Sequence, residues 1–87
     1  MPLSILHAEP LDAYRIDLTF NNQRRVVVDF APFLFSHPHP DYTIYQDRTH
    51  FLRFELIDGN LNWDDYRMIF PVEDLYHQRL APMEDKR

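Results

Sequence analysis

The single glycine of the chain, Gly59, follows Asp58 between two apolar runs and constrains the fold more than any other residue. An Asp-Gly pair adopts the positive φ angles of a type I′ turn at low cost, and this turn joins neighbouring antiparallel strands. With these two residues as the loop, apolar residues meet on one side of the ribbon and polar residues on the other. The predicted cross-strand pairs are Leu56–Leu61, Phe54–Trp63 and Glu55–Asn62.

Another hairpin is predicted from the alternation of apolar and polar residues over 14–20 and from the β-branched run that begins at Val26. A two-residue turn would place Leu18 across from Arg25. A three-residue loop instead aligns apolar residues with each other, as Leu18–Val26, Ile16–Val28 and Tyr14–Phe30. Because cross-strand partners share a face, we expect the three-residue loop. Residues 3–9 are predicted to form one further strand, ended by Pro10.

Short helices are predicted between and after the hairpins. Pro32 suits the first turn of a helix over 31–35, since its fixed φ fits there. Asp47 can cap a single turn over 48–52. The segment 72–80 carries one apolar stripe, typical of a helix that packs on a core, formed by Val72, Leu75, Tyr76 and Leu80.

These elements predict an α+β fold: two antiparallel β-hairpins plus an extra N-terminal strand, short helices and a C-terminal helix. A short strand is expected over 68–70, and Pro82 is expected to stop the last helix. At 87 residues the chain is long enough for one core only. We therefore predict a single domain over residues 1–82 and a charged, disordered tail over 83–87.

Composition excludes several classes of function. The chain has no cysteine, which removes disulfides, thiolate zinc sites and cysteine nucleophiles and fits a reducing cytoplasm. Its net charge of −5, without a basic stripe, argues against direct nucleic-acid binding. The sequence has neither a signal peptide nor 18 consecutive apolar residues, so we expect a cytoplasmic location and no membrane span.

The most unusual segment is the proline-rich stretch 36–41. Its two histidines and a carboxylate, with one further histidine, could supply ligands to a metal ion; these weak candidates are His37, His39, Asp41 and His50. Proline-rich backbone tends toward three residues per turn, which does not place residues i and i+2 on one side. We therefore expect a rigid exposed loop, with no metal and no cofactor.

Two other arrangements of reactive side chains are weak candidates for catalysis. A hydrolytic triad could be drawn from Ser36, His37 and Asp41, but with one glycine the chain has no glycine-rich loop to form an oxyanion hole. The adjacent carboxylates of Asp64 and Asp65 could form an acid/base pair, but neighbouring side chains of a strand point to opposite faces. We expect Asp64 to pair with Arg53 across the hairpin instead, and we assign no catalytic residue.

Aromatic residues are abundant: seven Phe, five Tyr and one Trp. Two short hairpins and a few helical turns are not expected to cover all of them, and exposed aromatic patches mark contact surfaces. Arginine, which outnumbers lysine eight to one, is favoured in interfaces as well. The predicted interface residues are Phe33, Phe35, Tyr42, Tyr45, Trp63, Tyr66 and Arg67.

Several short motifs occur in a recognisable order: YRIDLTF at 14–20, VVDFAPFL at 27–34, YQD at 45–47, LNW at 61–63 and VEDLY at 72–76. In order and spacing they resemble the small bacterial domain-of-unknown-function family numbered 2442, from about residue 4 to 77. The chain departs from the family pattern at Gln23, where the hairpin loop typically ends in glycine, and in the proline-rich insert.

This resemblance implies a small α+β domain that usually stands alone and is sometimes fused to a helix-turn-helix. It implies no established activity, so no site residue is carried across. Some relatives sit beside toxin-like genes, which suggests an antitoxin-like role by association.

Three hypotheses follow. The first is a non-enzymatic interaction module that binds another protein, such as a basic toxin-like or regulatory partner, or forms a homodimer. The second is an accessory domain in transcriptional regulation without direct DNA binding. The third, and the least supported, is a metal-dependent or hydrolytic enzyme centred on the histidine loop.

Overall fold

Two three-stranded antiparallel sheets organise the computed structural model, which describes residues 2–36 and 39–80. The first sheet has the order β1 (Ile5–Pro10), β2 (Arg15–Phe20), β3 (Arg25–Asp29). The second has the order β4 (Glu55–Ile57), β5 (Asn60–Trp63), β6 (Met68–Ile69). The helical elements are α1 (Ala31–Ser36), a 3₁₀ helix (Thr43–Gln46), α2 (Arg48–Phe51) and α3 (Val72–Tyr76). The predicted α+β fold is confirmed; the tail at 83–87 lies outside the described residues.

The hairpin of β2 and β3 has the predicted register, with the pairs Leu18–Val26 and Ile16–Val28. The N–H of Phe20 donates to the carbonyl of Arg24 at 2.9 Å, which closes the three-residue loop. Gln23, the last residue of this loop, adopts a φ of 73°. This left-handed conformation is the one that glycine accepts without steric cost, so the loop keeps its geometry at the expense of local strain.

The second hairpin is also confirmed, with the pairs Glu55–Asn62, Leu56–Leu61 and Ile57–Asn60. Asp58 and Gly59 have φ angles of 53° and 79°, as a type I′ turn requires. A Cβ on Gly59 would lie 2.6 Å from the Cβ of Ser4, and the carbonyl of Gly59 accepts the N–H of Ile5 at 2.9 Å. The glycine therefore serves both the turn and the close approach of the second hairpin to β1.

One hydrophobic core joins the two sheets, and Trp63 lies at its centre. The indole contacts five aromatic rings with centroid separations of 5.6–6.2 Å: Phe30, Tyr45, Phe51, Phe54 and Phe70. Its Nε1–H donates to the carbonyl of Phe51 at 2.7 Å. Such aromatic pairs add about 0.5–1.5 kcal/mol beyond the area they bury. As expected, not every aromatic residue is covered: Phe35 and Tyr66 stay exposed. Most of the others are buried or half-buried, because the 3₁₀ helix and α2 contribute core residues of their own, Tyr45 and Phe51.

The last helix is shorter than predicted. It ends at Tyr76 rather than near Leu80, and Gln78 follows with a φ of 61°. The N–H of Gln78 donates to the carbonyl of Leu75 at 3.0 Å, and that of Arg79 to the carbonyl of Asp74 at 2.7 Å. This is the hydrogen-bond pattern of a Schellman motif, which stops a helix. The apolar stripe misled the prediction because Leu80 reaches the core after the turn, not on the helix.

The remaining short elements agree with the sequence. Asp47 caps α2 by accepting the N–H of Thr49 at 3.1 Å, and α1 begins within one turn of Pro32. The strand expected over 68–70 is β6, one residue shorter. Among residues 2–36 and 39–80 there is no helix with the length and apolar character needed to cross a bilayer.

Candidate interaction surface

An open groove of about 540 Å³, here called the α1 groove, lies between α1 and the segment that follows α3. Its lining residues are Asp29, Pro32, Phe33, Ser36, Gln78 and Leu80. Pro32, Phe33 and Leu80 supply apolar surface, and the other three supply polar groups. The groove therefore combines an apolar concavity with a single carboxylate, the combination typical of sites that bind a side chain or a short segment.

The α1 side of the groove is held firmly. Leu34 anchors α1 in the core, and its carbonyl accepts a hydrogen bond from the Gln46 amide at 2.8 Å. Phe33 points its ring against Phe70, with centroids 5.2 Å apart, and against Tyr42 at 5.7 Å. Because these contacts fix Phe33 before any partner arrives, the groove is preorganised.

Asp29 stands where β3 ends and α1 begins. Its Oδ1 accepts the N–H of Ala31 at 3.0 Å and so satisfies one of the free donors at the helix start. Within the two described stretches, 2–36 and 39–80, no cation forms an ion pair with this carboxylate. Arg15, its cross-strand neighbour, instead forms an ion pair with Asp12. Arg15 interacts with Asp29 only at longer range, so Oδ2 of Asp29 has no direct partner in this part of the chain and can accept a positive group.

Gln78 forms the opposite wall and joins it to the sheet. Its Nε2 donates to the carbonyl of Val27 in β3 at 2.7 Å. The Schellman turn after α3, with the left-handed backbone of Gln78, brings this side chain to the carbonyl of Val27. The side chain and the strained backbone therefore act together to build the groove.

No described strand pairs with the outer edge of β3, beside the groove. The bonds Phe20 N–H to Arg24 and Phe30 N–H to Tyr14 show that even-numbered residues of β3 face β2. The outward backbone groups consequently belong to Arg25, Val27 and Asp29. Within the described part of the chain, the Gln78 amide makes the only hydrogen bond to any of these outward groups.

The side chains of the same three residues lie on the outer face of the first sheet, because Val26 and Val28 face the core. Val27 is 40% exposed there. Arg25 forms an ion pair with Asp17 of β2, which is nearly buried. Oδ1 of Asp17 has no hydrogen-bond partner among the residues that the structure describes. Glu9 lies directly across from Asp17 on β1, and Arg15 lies directly across from Asp29 on β2. The face therefore carries three carboxylates and two arginines, and both arginines already form ion pairs, Arg15 with Asp12 and Arg25 with Asp17.

The seven predicted interface residues are scattered by the fold. Tyr45 and Trp63 have no exposed surface, so the expectation that they lie on an interface is corrected. Phe33 lines the α1 groove and Tyr42 packs on it. The other three are exposed: Phe35, which contacts Tyr14, and the turn residues Tyr66 and Arg67. Sequence reasoning missed Asp29 and Gln78 as surface residues, because neither stands out until the chain is folded.

Tyr45 and Trp63 can enter the core because their polar groups find partners there. The hydroxyl of Tyr45 donates to Oδ2 of Asp64 at 2.5 Å. Burial, and then this hydrogen bond, raise the pKa of Tyr45 well above its ordinary value. Arg53 makes no ion pair with Asp64 among the residues described, so the predicted Arg53–Asp64 pair was wrong. Asp64 is instead the acceptor for a buried phenol.

The turn between β5 and β6 is strained. Three consecutive non-glycine residues have left-handed φ angles: Asp64 at 51°, Asp65 at 57° and Tyr66 at 71°. Such conformations normally occur as single residues. The Tyr45–Asp64 hydrogen bond anchors the turn at its first residue and compensates part of the strain.

The histidines of the candidate metal site do not converge in the described residues. His37 lies outside them, and with it the Ser36–His37–Asp41 triad. The N–H of Asp41 donates to Nδ1 of His39 at 3.1 Å, and Nδ1 of His50 lies 3.0 Å from Oδ2 of Asp47. Across 2–36 and 39–80, no group of three or more His, Asp or Glu side chains is arranged to hold a metal ion.

His50 has a structural role at the start of α2. Its hydrogen bond, followed by that of the Thr49 N–H, holds the pKa of Asp47 below its ordinary value. Asp47 therefore stays ionised as the helix cap.

Together these features define a small α+β domain whose distinctive surface is a preorganised groove beside an open sheet edge. The chain belongs to the family DUF2442, described as a protein of unknown function, whose model matches residues 5–81. This match confirms the resemblance drawn from the sequence motifs. No curated protein and no solved structure gives a significant match to the chain.

Proposed function

We propose that the protein is a non-enzymatic interaction module of the bacterial cytoplasm and that it binds other polypeptides at the α1 groove and the adjoining β3 edge. The observation that carries the proposal is the apolar concavity of Pro32, Phe33 and Leu80 beside the carboxylate of Asp29. One oxygen of this carboxylate has no hydrogen bond or ion pair to any described residue. A polypeptide segment with an apolar side chain next to a lysine or arginine has the complementary chemistry.

Charge supports a basic partner. The chain has a net charge of −5, and on the outer face of the first sheet Glu9 and Asp29 have no ion-pair partner in the described residues. Complementary charge raises association rates and excludes acidic competitors more than it adds raw affinity. A basic toxin-like or regulatory protein fits this description.

The groove has a suitable size and stiffness. Its volume of about 540 Å³ accommodates one or two side chains of a bound segment. Because Phe33 and α1 are held by core contacts, binding does not have to order this wall, and less of the interaction free energy is lost to entropy.

The test is peptide selection followed by affinity measurement. Short random linear peptides are displayed and selected on the immobilised wild-type protein, and the selected peptides are titrated by calorimetry. Ser36→Trp places a large side chain in the groove. Thr49→Trp is the matched control, because Thr49 is exposed on α2 and does not line the groove.

We expect selected peptides to combine an apolar residue with lysine or arginine. Wild type and Thr49→Trp should bind them equally, and Ser36→Trp should bind about tenfold more weakly or not at all, the loss of one central contact. Asp29→Asn should weaken peptides with a basic residue more than analogues with glutamine in its place. Selection of no specific peptide, or equal binding by Ser36→Trp, would overturn the proposal.

A further inference from the structure

We propose that one occupant of the β3 edge is a second copy of this chain, joined by antiparallel pairing of the two β3 strands about a two-fold axis at Val27. The inference rests on the proposed function in that it uses the same edge. The partner is a second copy of the chain, and the basic residue that meets Asp29 is Arg25 of that copy.

The backbone of β3 is ready for this pairing. The N–H and C=O groups of Arg25, Val27 and Asp29 point away from β2, so the strand presents three consecutive outward donor–acceptor sets. Antiparallel pairing matches each set with one on the other copy. An exposed row of this kind is a template for strand addition unless it is covered.

The charges select one register. When Val27 faces Val27 of the second copy, Arg25 faces Asp29 and Asp29 faces Arg25, so both ends carry an opposite-charge pair. Shifting either strand by two residues puts a charged residue against Val27 instead. Because directly opposed side chains share a face, the exposed Val27 pair lies between the two charge pairs on the outer face.

The existing hydrogen bonds and ion pairs of Asp29, Arg25 and Val27 are compatible with pairing of the two β3 strands. Oδ2 of Asp29 has no partner in the described residues, and Oδ1 keeps its bond to Ala31. Arg25 is already bound to Asp17, but a guanidinium has five donors and can bridge two carboxylates. Among the described residues, only the side-chain amide of Gln78 occupies the edge, at the carbonyl of Val27, and it must release that carbonyl. The Gln78 side chain therefore obstructs strand pairing at this edge until it moves away.

A pair of five-residue strands buries little area, so the dimer is expected to be weak and concentration-dependent. The mass of the full chain should be measured by sedimentation equilibrium up to about 1 mM, the range of weak association. We expect the mass to rise from one copy, 10.6 kDa, toward two. A chain that stays monomeric throughout would overturn the inference.

A charge-exchange experiment tests the register. Arg25→Glu alone opposes two carboxylates at each end of the strand pair, and Asp29→Arg alone opposes two arginines. Each variant should dimerise at least about tenfold more weakly than wild type, since like charges directly opposite repel. An equimolar mixture restores two opposite-charge pairs and should form a heterodimer. Circular dichroism verifies that both variants are folded.

The mixture separates this arrangement from other surfaces. If the mixture associates no better than either variant alone, the two-fold register is wrong. If both variants dimerise like wild type, the contact lies elsewhere. Gln78→Asn keeps a residue that tolerates the left-handed backbone but has a shorter side chain. This variant should dimerise more tightly than wild type, because the shorter amide no longer reaches the carbonyl of Val27.

Failure of the self-pairing and failure of the proposed peptide binding give different experimental results. If wild type stays monomeric while Ser36→Trp abolishes peptide binding, the groove proposal stands and the self-pairing fails. If the dimer forms as described but no peptide binds, self-pairing stands and the groove proposal fails.

Discussion

Gln78 donates its side-chain amide to the carbonyl of Val27 at 2.7 Å, across 51 residues of sequence. This bond fastens the end of the domain to the edge of the first sheet and forms one wall of the α1 groove. It depends on the left-handed backbone of Gln78, whose φ is 61°. Gln78 is therefore a non-glycine residue in a strained, left-handed conformation, and it lies where the groove is formed.

Two substitutions of Gln78 separate the contribution of its side-chain hydrogen bond from the cost of its strained backbone. Gln78→Ala loses the side-chain bond and keeps the strain, whereas Gln78→Gly loses the bond and relieves the strain. We expect the alanine variant to be less stable than the glycine variant by about 1 kcal/mol in urea-induced unfolding. Equal stabilities would contradict the account of backbone strain.

Gly59 tolerates no side chain. Its φ of 79° disfavours other residues, and an added Cβ would lie 2.6 Å from the Cβ of Ser4. We expect Gly59→Ala to lower the free energy of unfolding by about 2 kcal/mol or more, because turn strain and overpacking act together. Asp58→Gly, at the neighbouring turn residue, is the control and should be nearly neutral. A stable Gly59→Ala variant would show that β1 does not approach the turn this closely.

Removal of the Tyr45 hydroxyl tests the anchor of the strained turn. Tyr45→Phe should destabilise the protein by about 1.5–3 kcal/mol, the usual contribution of a hydrogen bond to a charged group. Tyr66→Phe is the control, because Tyr66 is 44% exposed. Thermal unfolding of both variants at neutral pH gives the comparison. Equal effects of the two substitutions would contradict a special role of Tyr45.

Ionisation of Tyr45 is expected to limit the stability of the protein at alkaline pH. In the folded state the pKa of Tyr45 is raised, while in the unfolded chain tyrosine ionises near pH 10.0. The unfolded state therefore releases its proton first, and stability is retained below pH 10 and lost as the pH rises above it. Unfolding free energies measured from pH 8 to about 11 should fall less steeply for Tyr45→Phe than for wild type. Identical slopes would refute the linkage.

The two hairpin registers could be predicted because their information is local. The alternation around Leu18 and Val26 defines a buried face, and a one-residue slip would turn every side chain to the wrong side. Around Leu56 and Leu61 the Asp-Gly turn adds a second, independent constraint. Register, turn type and burial agree, so short-range reasoning suffices.

The burial of Tyr45 and Trp63 could not be predicted in the same way. Each has a polar group that must be satisfied in the core, and the partners, Asp64 and the carbonyl of Phe51, lie 19 and 12 residues away. An inventory of aromatic residues does not reveal such partners. It therefore overestimates the aromatic surface left for an interface.

The end of α3 and the groove depend on the same kind of non-local information. An apolar stripe that reaches Leu80 is compatible with a longer helix, and only the left-handed Gln78 shows where the helix stops. The groove then joins residues from β3, α1 and the segment after α3, none of which is distinctive in the sequence by itself.

The most direct test of the interaction surface is an NMR titration of the ¹⁵N-labelled protein with a peptide selected on it. We expect the largest amide shifts at Asp29, Phe33 and Leu80, around the α1 groove. Shifts concentrated instead on the β5–β6 turn at Asp65 and Tyr66, or on no continuous surface, would contradict this expectation.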